Sequence, residues 1–370
     1  MRVAWLTADY FLDTDEQLIS HLQDRFDLTW INLFGGGSPV EARELPGVRH
    51  REIVRSPHRA RDPRLALDFL RVLRRLRACQ PDVVYLNIVG LPYFHFLADV
   101  LLPKSKVICA IHNVDDYPGW GNRRFMRFYM DRVYKRFRFF HLFSKHTKTS
   151  FLERNPGKTV FYAPLALKSC GEGVRRRDDD KVRFLFFGGI RPNKNLRLLI
   201  RTFLRLPQQL RDRAILQVAG SCSKQDQDMY RELAGGDPSI QFDFRRIPDR
   251  EVPDLFLAHH YLVLPYDHVA QSGPQMIAYN YRLPVIATDL PGFSERIEDG
   301  RDGYLFRSGD EEHLTQVIAN AIGSHADTYR GVLERLEIRI QQEWEPTVVA
   351  EAYESMFCTV GVADQRGGKV

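Results

Sequence analysis

A chain of 370 residues with 44% hydrophobic and 27% charged residues has the composition of a soluble protein and enough length for two domains. Its net charge of +6 comes from residues 1–166, which hold 26 Lys and Arg against 17 Asp and Glu. No window supplies about 18 uninterrupted apolar residues for a membrane span, and Asp9 interrupts any apolar signal core, so we expect a cytoplasmic protein. The five cysteines are scattered and form no CxxC pair, so we predict neither a disulfide framework nor a zinc knuckle.

The basic first half indicates an anionic partner, which could be nucleic acid, an anionic membrane surface or a phosphorylated acceptor. The sequence contains no helix-turn-helix, zinc-finger or RNP pattern, so we expect no nucleic acid partner.

Apolar segments of strand length alternate with helical patterns along the first half, which predicts a parallel sheet built from strand–helix–strand units. The predicted strands lie near 2–7, 28–34, 82–88, 106–112, 139–144 and 159–163. The predicted helices include 63–78 and 123–137. Such sheets bind ligands beyond the carboxyl ends of their strands, so the residues that follow each strand are the ones that indicate function.

The segment 123–140 combines seven cations with seven aromatic residues in an amphipathic pattern. A basic face gains about 1 kcal/mol per cation near an anionic lipid leaflet. One interpretation is therefore peripheral docking on the inner face of the cytoplasmic membrane. The alternative is a helix whose cations face water and whose aromatic residues lie in the core.

Residues 167–181 interrupt the periodicity with glycines and blocks of like charge, and we interpret them as a linker. The alternation restarts at Val182, with a buried strand at 184–187 and further strands near 214–219, 240–244, 261–265 and 284–288. The predicted organisation is a first domain over 1–166, the linker 167–181, a second domain over 182–345, and a C-terminal helix and tail over 346–370 that returns to the first domain. Both domains are predicted to be α/β, doubly wound and Rossmann-like.

The turn after the strand 184–187 has the composition of a phosphate site. Gly188 and Gly189 permit a tight turn and close backbone approach. Two cations, Arg191 and Lys194, then precede a helical pattern, whose start contributes free N–H groups and positive dipole. Such a turn can hold a diphosphate without a metal, each charged hydrogen bond contributing about 1.5–3 kcal/mol. The alternative is an ordinary solvated turn.

A second candidate anion site lies between the strand 261–265 and a helix that opens with Pro274, a residue favoured at the first helical position. Gln271, Ser272 and Gly273 occupy this junction and can present a hydroxyl and backbone N–H groups to an anion. The alternative is that Ser272 is simply the N-cap of the helix.

Four segments of the second half follow one another in an order typical of one enzyme family. They are the turn Gly-Gly-Ile-Arg-Pro-Asn-Lys-Asn at 188–195 and the segments 247–266, 272–289 and 292–303. This order resembles the retaining family-four glycosyltransferases of the GT-B fold, of the bacterial polysaccharide type. The resemblance covers about 182–358 and is faint over the first half. The resemblance implies two Rossmann-like domains facing across a cleft, with the acceptor-binding domain over 1–166 and the nucleotide-sugar donor-binding domain over 182–345. It also implies that the donor's diphosphate is cradled by the residues named above.

Two positions depart from the family pattern. The family places an arginine directly after the first glycine of the turn, whereas this chain has Gly189 there and Arg191 two positions later. The family's two glutamates, the second of which accepts a hydrogen bond from the nucleotide ribose, are replaced by Val269 or Ala270 and by Ile277. The identity of the nucleotide therefore stays open.

The strand near 106–112 ends in His112 and resembles the strand after which related enzymes place a histidine facing the transferred sugar. The resemblance implies that His112 orients the sugar, while Asp116 or its neighbour Asp115 accepts the proton of the acceptor. The alternatives are a structural histidine at a strand end and aspartates that cap a helix.

We therefore expect a hexosyltransferase-type, retaining glycosyltransferase that moves a sugar from a nucleotide-diphosphate donor to a saccharide or polyprenyl-diphosphate-linked acceptor. The expected catalytic residues are His112, Asp116, Arg191 and Lys194. The expected donor-binding residues are Gly188, Gly189, Arg191, Lys194, Gln271, Ser272 and Gly273. A sugar-nucleotide epimerase or hydrolase, and a catalytically silent subunit of a transferase complex, remain as alternatives.

Neither a metal nor a cofactor is expected. Two DxD-like pairs, Asp13/Asp15 and Asp226/Asp228, have the composition of a divalent-cation site. We interpret both pairs as solvated surface, because so short a motif arises by chance.

Overall fold

The computed structural model describes residues 1–35, 47–58, 62–88, 93–114, 123–174 and 181–367. The chain divides into two compact units. The first contains Met1–Ala166 together with Trp344–Val370, and the second contains Leu167–Glu343. Each unit is built around one parallel sheet.

The sheet of the first unit has the strand order β3-β2-β1-β4-β5-β6-β7, and every neighbouring pair is parallel. Its strands are β1 (Arg2–Ala8), β2 (Asp27–Phe34), β3 (Arg51–Arg55), β4 (Val83–Asn87), β5 (Val107–Ile111), β6 (Phe139–Leu142) and β7 (Thr159–Tyr162). The central strands β4 and β5 are buried at every position, as expected for apolar runs covered on both faces.

The connecting segments of the first unit are mostly helical. They are a 3₁₀ turn (Asp9–Phe11), α1 (Leu12–Leu22), α2 (Leu65–Ala78), α3 (Phe94–Leu101), a second 3₁₀ turn (Lys104–Lys106), α4 (Arg123–Arg136) and α5 (Lys145–Arg154). Helices α2, α3 and α4 share one apolar core with the sheet.

The sheet of the second unit has the order β10-β9-β8-β11-β12-β13 and is also parallel throughout. Its strands are β8 (Val182–Phe187), β9 (Ala214–Ala219), β10 (Ile240–Asp243), β11 (Tyr261–Leu264), β12 (Val285–Thr288) and β13 (Tyr304–Phe306). Its helices are a 3₁₀ turn (Pro192–Lys194), α6 (Leu196–Arg205), α7 (Gln208–Arg211), α8 (Lys224–Ala234), a 3₁₀ turn (Asp249–Glu251), α9 (Val252–Leu257), α10 (Gly273–Asn280), α11 (Pro291–Ser294), α12 (Glu311–Gly323) and α13 (His325–Glu343).

The two sheets share the same order for their first six strands, with the third strand of each at one edge and the first and fourth side by side. The direction of the winding reverses between β1 and β4 in the first unit and between β8 and β11 in the second. Sheets of this kind open a crevice outside the carboxyl ends of those two strands. Residues that bind a ligand are therefore expected at the carboxyl edge of each sheet.

The last helix, α14 (Pro346–Gly367), belongs to the first unit and packs against α1. Tyr353 stacks on Trp5 with ring centroids 5.3 Å apart, and its hydroxyl lies 3.4 Å from that of Tyr85. On the surface, Glu354 forms an ion pair with Arg25. Buried aromatic packing thus attaches this helix to the first sheet.

The sequence patterns miss two strands. Strand β3 carries a charge at three of its five positions and is nowhere fully buried, because it lies at the edge of the sheet. Strand β13 has only three residues. Neither presents the apolar run from which the other strands were predicted.

The first part of the predicted linker is packed on the second unit. The backbone N–H of Lys168 donates to Met276 O over 3.4 Å, and that of Val174 donates to Asp254 Oδ1 over 2.8 Å. A Cβ at Gly173 would lie 2.6 Å from Pro253 Cβ, so only glycine fits there. The glycine therefore permits close packing of this segment on the second unit. Residues 175–180 of the predicted linker lie outside the described part of the chain.

Helix α4 divides its aromatic residues between core and surface. Tyr129 and Tyr134 are buried, whereas Phe125 and Phe128 are 43% and 58% exposed. The helix therefore places some of its aromatic residues in the core and others on the surface. Among the described residues, no helix combines the length and the apolar character needed to span a bilayer.

Candidate functional site

The turn after β8 lies directly against the end of β9. Gly188 has a φ of +107°, and its N–H donates to Ala219 O over 3.0 Å. A Cβ at Gly220 would lie 1.9 Å from Gly188 O, so a side chain there is sterically impossible without moving the turn. Gly220 is thus part of the site architecture, although the only sequence signal for it is a single glycine after a strand.

Two hydrogen bonds join this turn to the loop after β11. The backbone N–H of Asp267 donates to Asn193 O over 3.0 Å, and Asn195 Nδ2 donates to Asp267 Oδ1 over 2.9 Å. Asn195 itself has a φ of +48°, a conformation that asparagine tolerates better than most residues. Segments more than 70 positions apart therefore form one surface at the point where the winding of the sheet reverses.

Lys194 is folded back over the glycine turn. Its Nζ lies 3.2 Å from the position that a Gly188 Cβ would occupy and 5.2 Å from the centre of the Tyr266 ring. Burial, with a smaller effect of the neighbouring Arg191, lowers the pKa of Lys194 to about 8. The structure thus keeps a partly desolvated ammonium group at this edge.

Arg191 and Gly189 lie on the exposed part of the same turn. Within the described ranges, neither Arg191 nor Lys194 is paired with a carboxylate. Two neighbouring cations with no internal counter-charge favour an anionic ligand.

Helix α10 begins beside these cations. Ser272 is its N-cap, with Oγ accepting from the N–H of Gln275 over 3.3 Å. Pro274 Cγ lies 3.8 Å from the position that a Gly188 Cβ would occupy. The Ser272 hydroxyl is therefore engaged in capping, and α10 offers an anion its positive dipole and the N–H groups of its first turn.

A third cation lies at this helix start. Lys168 Nζ lies 3.8 Å from the position that a Gly273 Cβ would occupy. The sequence interpretation placed Lys168 in a linker, so its proximity to α10 could not be foreseen.

The loop before α10 is also fixed by close contacts. A Cβ at Gly292 would lie 2.8 Å from Val269 O and 3.0 Å from Ala270 O. Gln271 follows in a half-buried position directly before the cap. The structure therefore brings the predicted donor-binding residues to one edge of the second sheet, with Lys194 and the start of α10 at its centre.

The carboxyl edge of the first sheet presents a cluster of aromatic rings around a histidine. His112 follows β5 and is stacked between Phe11 and Phe143, with ring centroids 3.6 Å and 4.3 Å away. Its Nε2 lies 2.7 Å from Asn87 Oδ1 at the end of β4. Burial, and to a smaller extent His141, holds the pKa of His112 well below its usual range. The ring is therefore neutral at physiological pH.

The interpretation of Asp15 as solvated surface is wrong. Asp15 is fully buried in α1 and accepts hydrogen bonds from Trp5, Thr7 and Asn87. Burial raises its pKa to about 7, while these hydrogen bonds act in the opposite direction. An amphipathic helix buries one face, and position 15 lies on the buried face of α1.

The remaining candidate carboxylates have other positions. Asp226 accepts from Ser223 Oγ over 2.7 Å, and the exposed Asp228 pairs with Arg231 at 3.8 Å. Asp115 and Asp116 lie outside the described residues. In the part of the chain that the structure describes, no three His, Cys, Asp or Glu side chains are grouped as metal ligands.

Family models match both halves of the chain. Residues 181–324 match the model described as glycosyl transferases group 1, and residues 16–161 match the model described as Glycosyltransferase Family 4. The two matches together span well over half of the sequence. No curated protein matches this sequence.

Several solved structures are similar to this chain over nearly its whole length. HepE from Anabaena, in complex with UDP and glucose, has a TM-score of 0.74 at 13% identity, over 97% of this chain and 100% of that one. Sucrose-phosphate synthase from Thermosynechococcus elongatus has a TM-score of 0.76 at 13% identity, over 98% and 100%. WaaG, a glycosyltransferase involved in lipopolysaccharide biosynthesis, has a TM-score of 0.68 at 14% identity, over 96% and 98%.

At these identities the structural likeness establishes the fold. Since glycosyltransferase models match both halves of the sequence, and the described residues form two parallel-sheet α/β domains, the chain belongs to the glycosyltransferases of the GT-B fold.

Proposed function

We propose that this protein transfers a sugar from a nucleotide-diphosphate donor to a saccharide or lipid-linked acceptor, and that its second unit binds the donor. The observation that carries the proposal is the convergence of Lys194, Arg191 and the start of α10 at the reversal point of the second sheet. HepE, a structural neighbour, binds UDP and glucose, which supports a nucleotide sugar as the ligand.

In this proposal the cations stabilise the negative charge that develops on the departing diphosphate. Groups aimed at charge that appears in the transition state raise the rate, whereas equal binding of ground and transition states lowers only KM. A cation about 4 Å from a phosphate contributes up to about 4 kcal/mol at an effective dielectric constant near 20. We therefore propose that transfer proceeds without a metal ion and that no cofactor is required.

The first unit carries the acceptor-side groups in this proposal. Because His112 is neutral, we assign it the orientation of a sugar hydroxyl by hydrogen bonding, with no net proton transfer. Asp116 is proposed as the group that accepts the acceptor proton. Retention of the anomeric configuration is proposed from the family resemblance alone.

Two alternative functions are kept as outcomes of the experiments below. The absence of the family's glutamate pair at Val269 or Ala270 and at Ile277 favours a silent subunit that binds donor without turnover. An epimerase or hydrolase of the same fold would use the same diphosphate site. It would convert the donor with no acceptor present.

We also propose that the first unit binds an anionic membrane surface through α4, which would bring it to a polyprenyl-diphosphate-linked acceptor. Phe125, Phe128 and Arg132 succeed one another at intervals of three and four residues and share one side of the helix. The Arg132 guanidinium lies 5.9 Å from the Phe128 ring, and Arg124 is also exposed. Exposed aromatic rings beside cations suit a lipid headgroup region.

Lys194→Ala should reduce turnover about a hundredfold or more while leaving the melting temperature close to that of the wild type, because it removes the cation at the centre of the proposed diphosphate site. Steady-state kinetics and a thermal melt measure the two effects. Lys181→Ala is the matched control, since Lys181 is exposed immediately before β8, at the opposite edge of the same sheet. Near-native transfer by Lys194→Ala would remove this lysine from the site.

The value of kcat/KM for the donor should fall as the pH rises through about 8, because Lys194 is charged only below its pKa. A bound diphosphate favours the ammonium form, so the corresponding fall in kcat should occur at higher pH. Lys194→Arg keeps its charge throughout this range and should lose the alkaline fall, although at a lower rate. An unchanged alkaline fall in Lys194→Arg contradicts the assignment.

The protein should be stabilised against heating by one of the UDP-, GDP-, ADP- or dTDP-sugars, since a ligand at 100 times its Kd adds about 2.7 kcal/mol to the native state. That donor should support transfer to a saccharide or lipid-linked acceptor in the presence of EDTA. Consumption of the donor without acceptor indicates the epimerase or hydrolase, and stabilisation without any conversion indicates the silent subunit. Complete loss of transfer with EDTA contradicts metal independence.

The protein should co-sediment with vesicles of phosphatidylglycerol and phosphatidylcholine at low salt and be released as salt rises. Phe125→Ser with Phe128→Ser should weaken this binding about tenfold or more, because two exposed rings no longer enter the interface. Ile338→Ser is the control, since it removes an apolar side chain of similar exposure (53%) from the second unit. Failure of the wild type to co-sediment at low salt rules out the docking surface.

A further inference from the structure

The hydrogen bonds around Asp15 have a fixed direction. An indole N–H can only donate. Trp5 Nε1 donates to Asp15 Oδ2 over 2.8 Å, and Trp30 Nε1 donates to Thr7 Oγ1 over 2.8 Å. Thr7 Oγ1 in turn donates to Asp15 Oδ2 over 2.6 Å. In each of these hydrogen bonds the donor hydrogen points toward Asp15, either directly or through Thr7.

Asn87 extends the chain of hydrogen bonds to the carboxyl end of β4. Its Nδ2 lies 2.9 Å from both oxygens of Asp15, which accept from it. Since the amide nitrogen faces Asp15, the amide oxygen faces His112, and Oδ1 accepts from Nε2 over 2.7 Å. His112 must therefore carry its proton on Nε2, and the Nδ1 of the neutral ring is an acceptor.

We infer that Asp15 is a positioning residue that, through Asn87, sets the tautomer of His112 and so decides which kind of hydrogen bond His112 offers to a sugar hydroxyl. The consequence for catalysis rests on the proposed function, whereas the tautomer itself does not.

The surrounding packing fixes the rest of the geometry. Phe11 and Phe143 stack on the two sides of the imidazole at interplanar angles of 11° and 24°, so the plane of the ring is set by aromatic contact. The two aromatic rings fix the plane of the His112 imidazole, and the hydrogen bond to Asn87 fixes its proton on Nε2. The lone pair of Nδ1 therefore points in one direction within that plane. A sugar hydroxyl can donate to it, but a carbonyl or ring oxygen of a ligand cannot pair with it.

A buried carboxylate is costly unless donors compensate it. Asp15 is fully buried yet lies outside the sheet, in α1, and its donors come from β1 and β4. Among these residues, His112 is the partly exposed one, and it lies at the carboxyl edge of the sheet. A carboxylate whose sole role was to join α1 to β1 would not require the contact with Asn87.

Asp15→Asn reverses the last part of the chain while preserving shape. The side-chain oxygen of the introduced asparagine can still accept from Trp5 and Thr7, and its NH₂ group would then face Asn87 and donate to it. The introduced NH₂ group lies against Asn87 Nδ2, and this contact between two donors favours a 180° turn of the Asn87 amide. The turned amide presents N–H to His112 Nε2 and moves the imidazole proton to Nδ1. Swapping the two groups, as Asp15→Asn with Asn87→Asp, returns an acceptor to His112 Nε2.

The test is long-range ¹H–¹⁵N correlation of the histidine rings at pH 8, above the pKa of Asp15, with the His112 signals identified by their loss in His112→Asn. The wild type should show the Nε2–H tautomer, Asp15→Asn the Nδ1–H tautomer, and the double variant Nε2–H again. Asp13→Asn, which removes the neighbouring carboxylate of α1, should leave the tautomer unchanged. A wild-type ring protonated on Nδ1 overturns the inference without any variant, even if Asp15→Asn fails to fold.

Kinetics test the role of the tautomer in transfer. Asp15→Asn should lower kcat about a hundredfold with the KM for the nucleotide sugar unchanged, and the double variant should recover at least about tenfold of that loss. A reversed tautomer with native kcat, or a restored tautomer with no recovery, contradicts the positioning role. If the wild type transfers no sugar from any donor, the proposed function fails, and the tautomer measurement still decides whether Asp15 controls His112.

Discussion

The second unit depends on one physical constraint, a partly buried positive charge that the protein leaves without an internal counter-ion among the described residues. Burial removes water from the Lys194 ammonium group, which is unfavourable for the charged form and therefore lowers the pKa of the side chain. The position persists because the turn is held by the contact between Gly188 and Gly220 and by two hydrogen bonds to Asp267. An anion that enters this edge relieves the unfavourable charge, so binding and local stability are coupled.

The two sheets share a strand order but present different chemistry at their carboxyl edges. The second sheet offers cations and a helix N-terminus, which suit a diphosphate. The first sheet presents a neutral histidine that donates to Asn87 within a directed chain of hydrogen bonds. The same backbone arrangement thus presents cations in one unit and a hydrogen-bonded imidazole in the other. In the proposed reaction, the cationic edge would stabilise the departing diphosphate and the imidazole edge would orient a sugar hydroxyl.

Helix α4 shows why a composition pattern leaves two interpretations open. Its aromatic residues recur on two sides of the helix, and either side could have been buried. The sheet and α3 cover Tyr129 and Tyr134, since Phe96 packs edge to face on Tyr129 at 5.0 Å. Phe125 and Phe128 are left on the surface with the cations. This one helix therefore contributes to the core and also presents the surface on which the proposed membrane contact depends.

The sequence by itself determined the fold class, the strands whose residues are continuously apolar, and the chemistry of the turn at 188–195, because burial on both faces and the need for glycine and cations leave local signals. It could not determine which residues distant in sequence contact one another. From the sequence, Asp15 was interpreted as a surface carboxylate and Lys168 as part of a linker, and Gly220 gave no distinctive signal. Only the tertiary structure placed Asp15 among indole and amide donors, Lys168 beside α10, and Gly220 against Gly188, because these contacts join residues distant in sequence and depend on how the strands are ordered in the sheet.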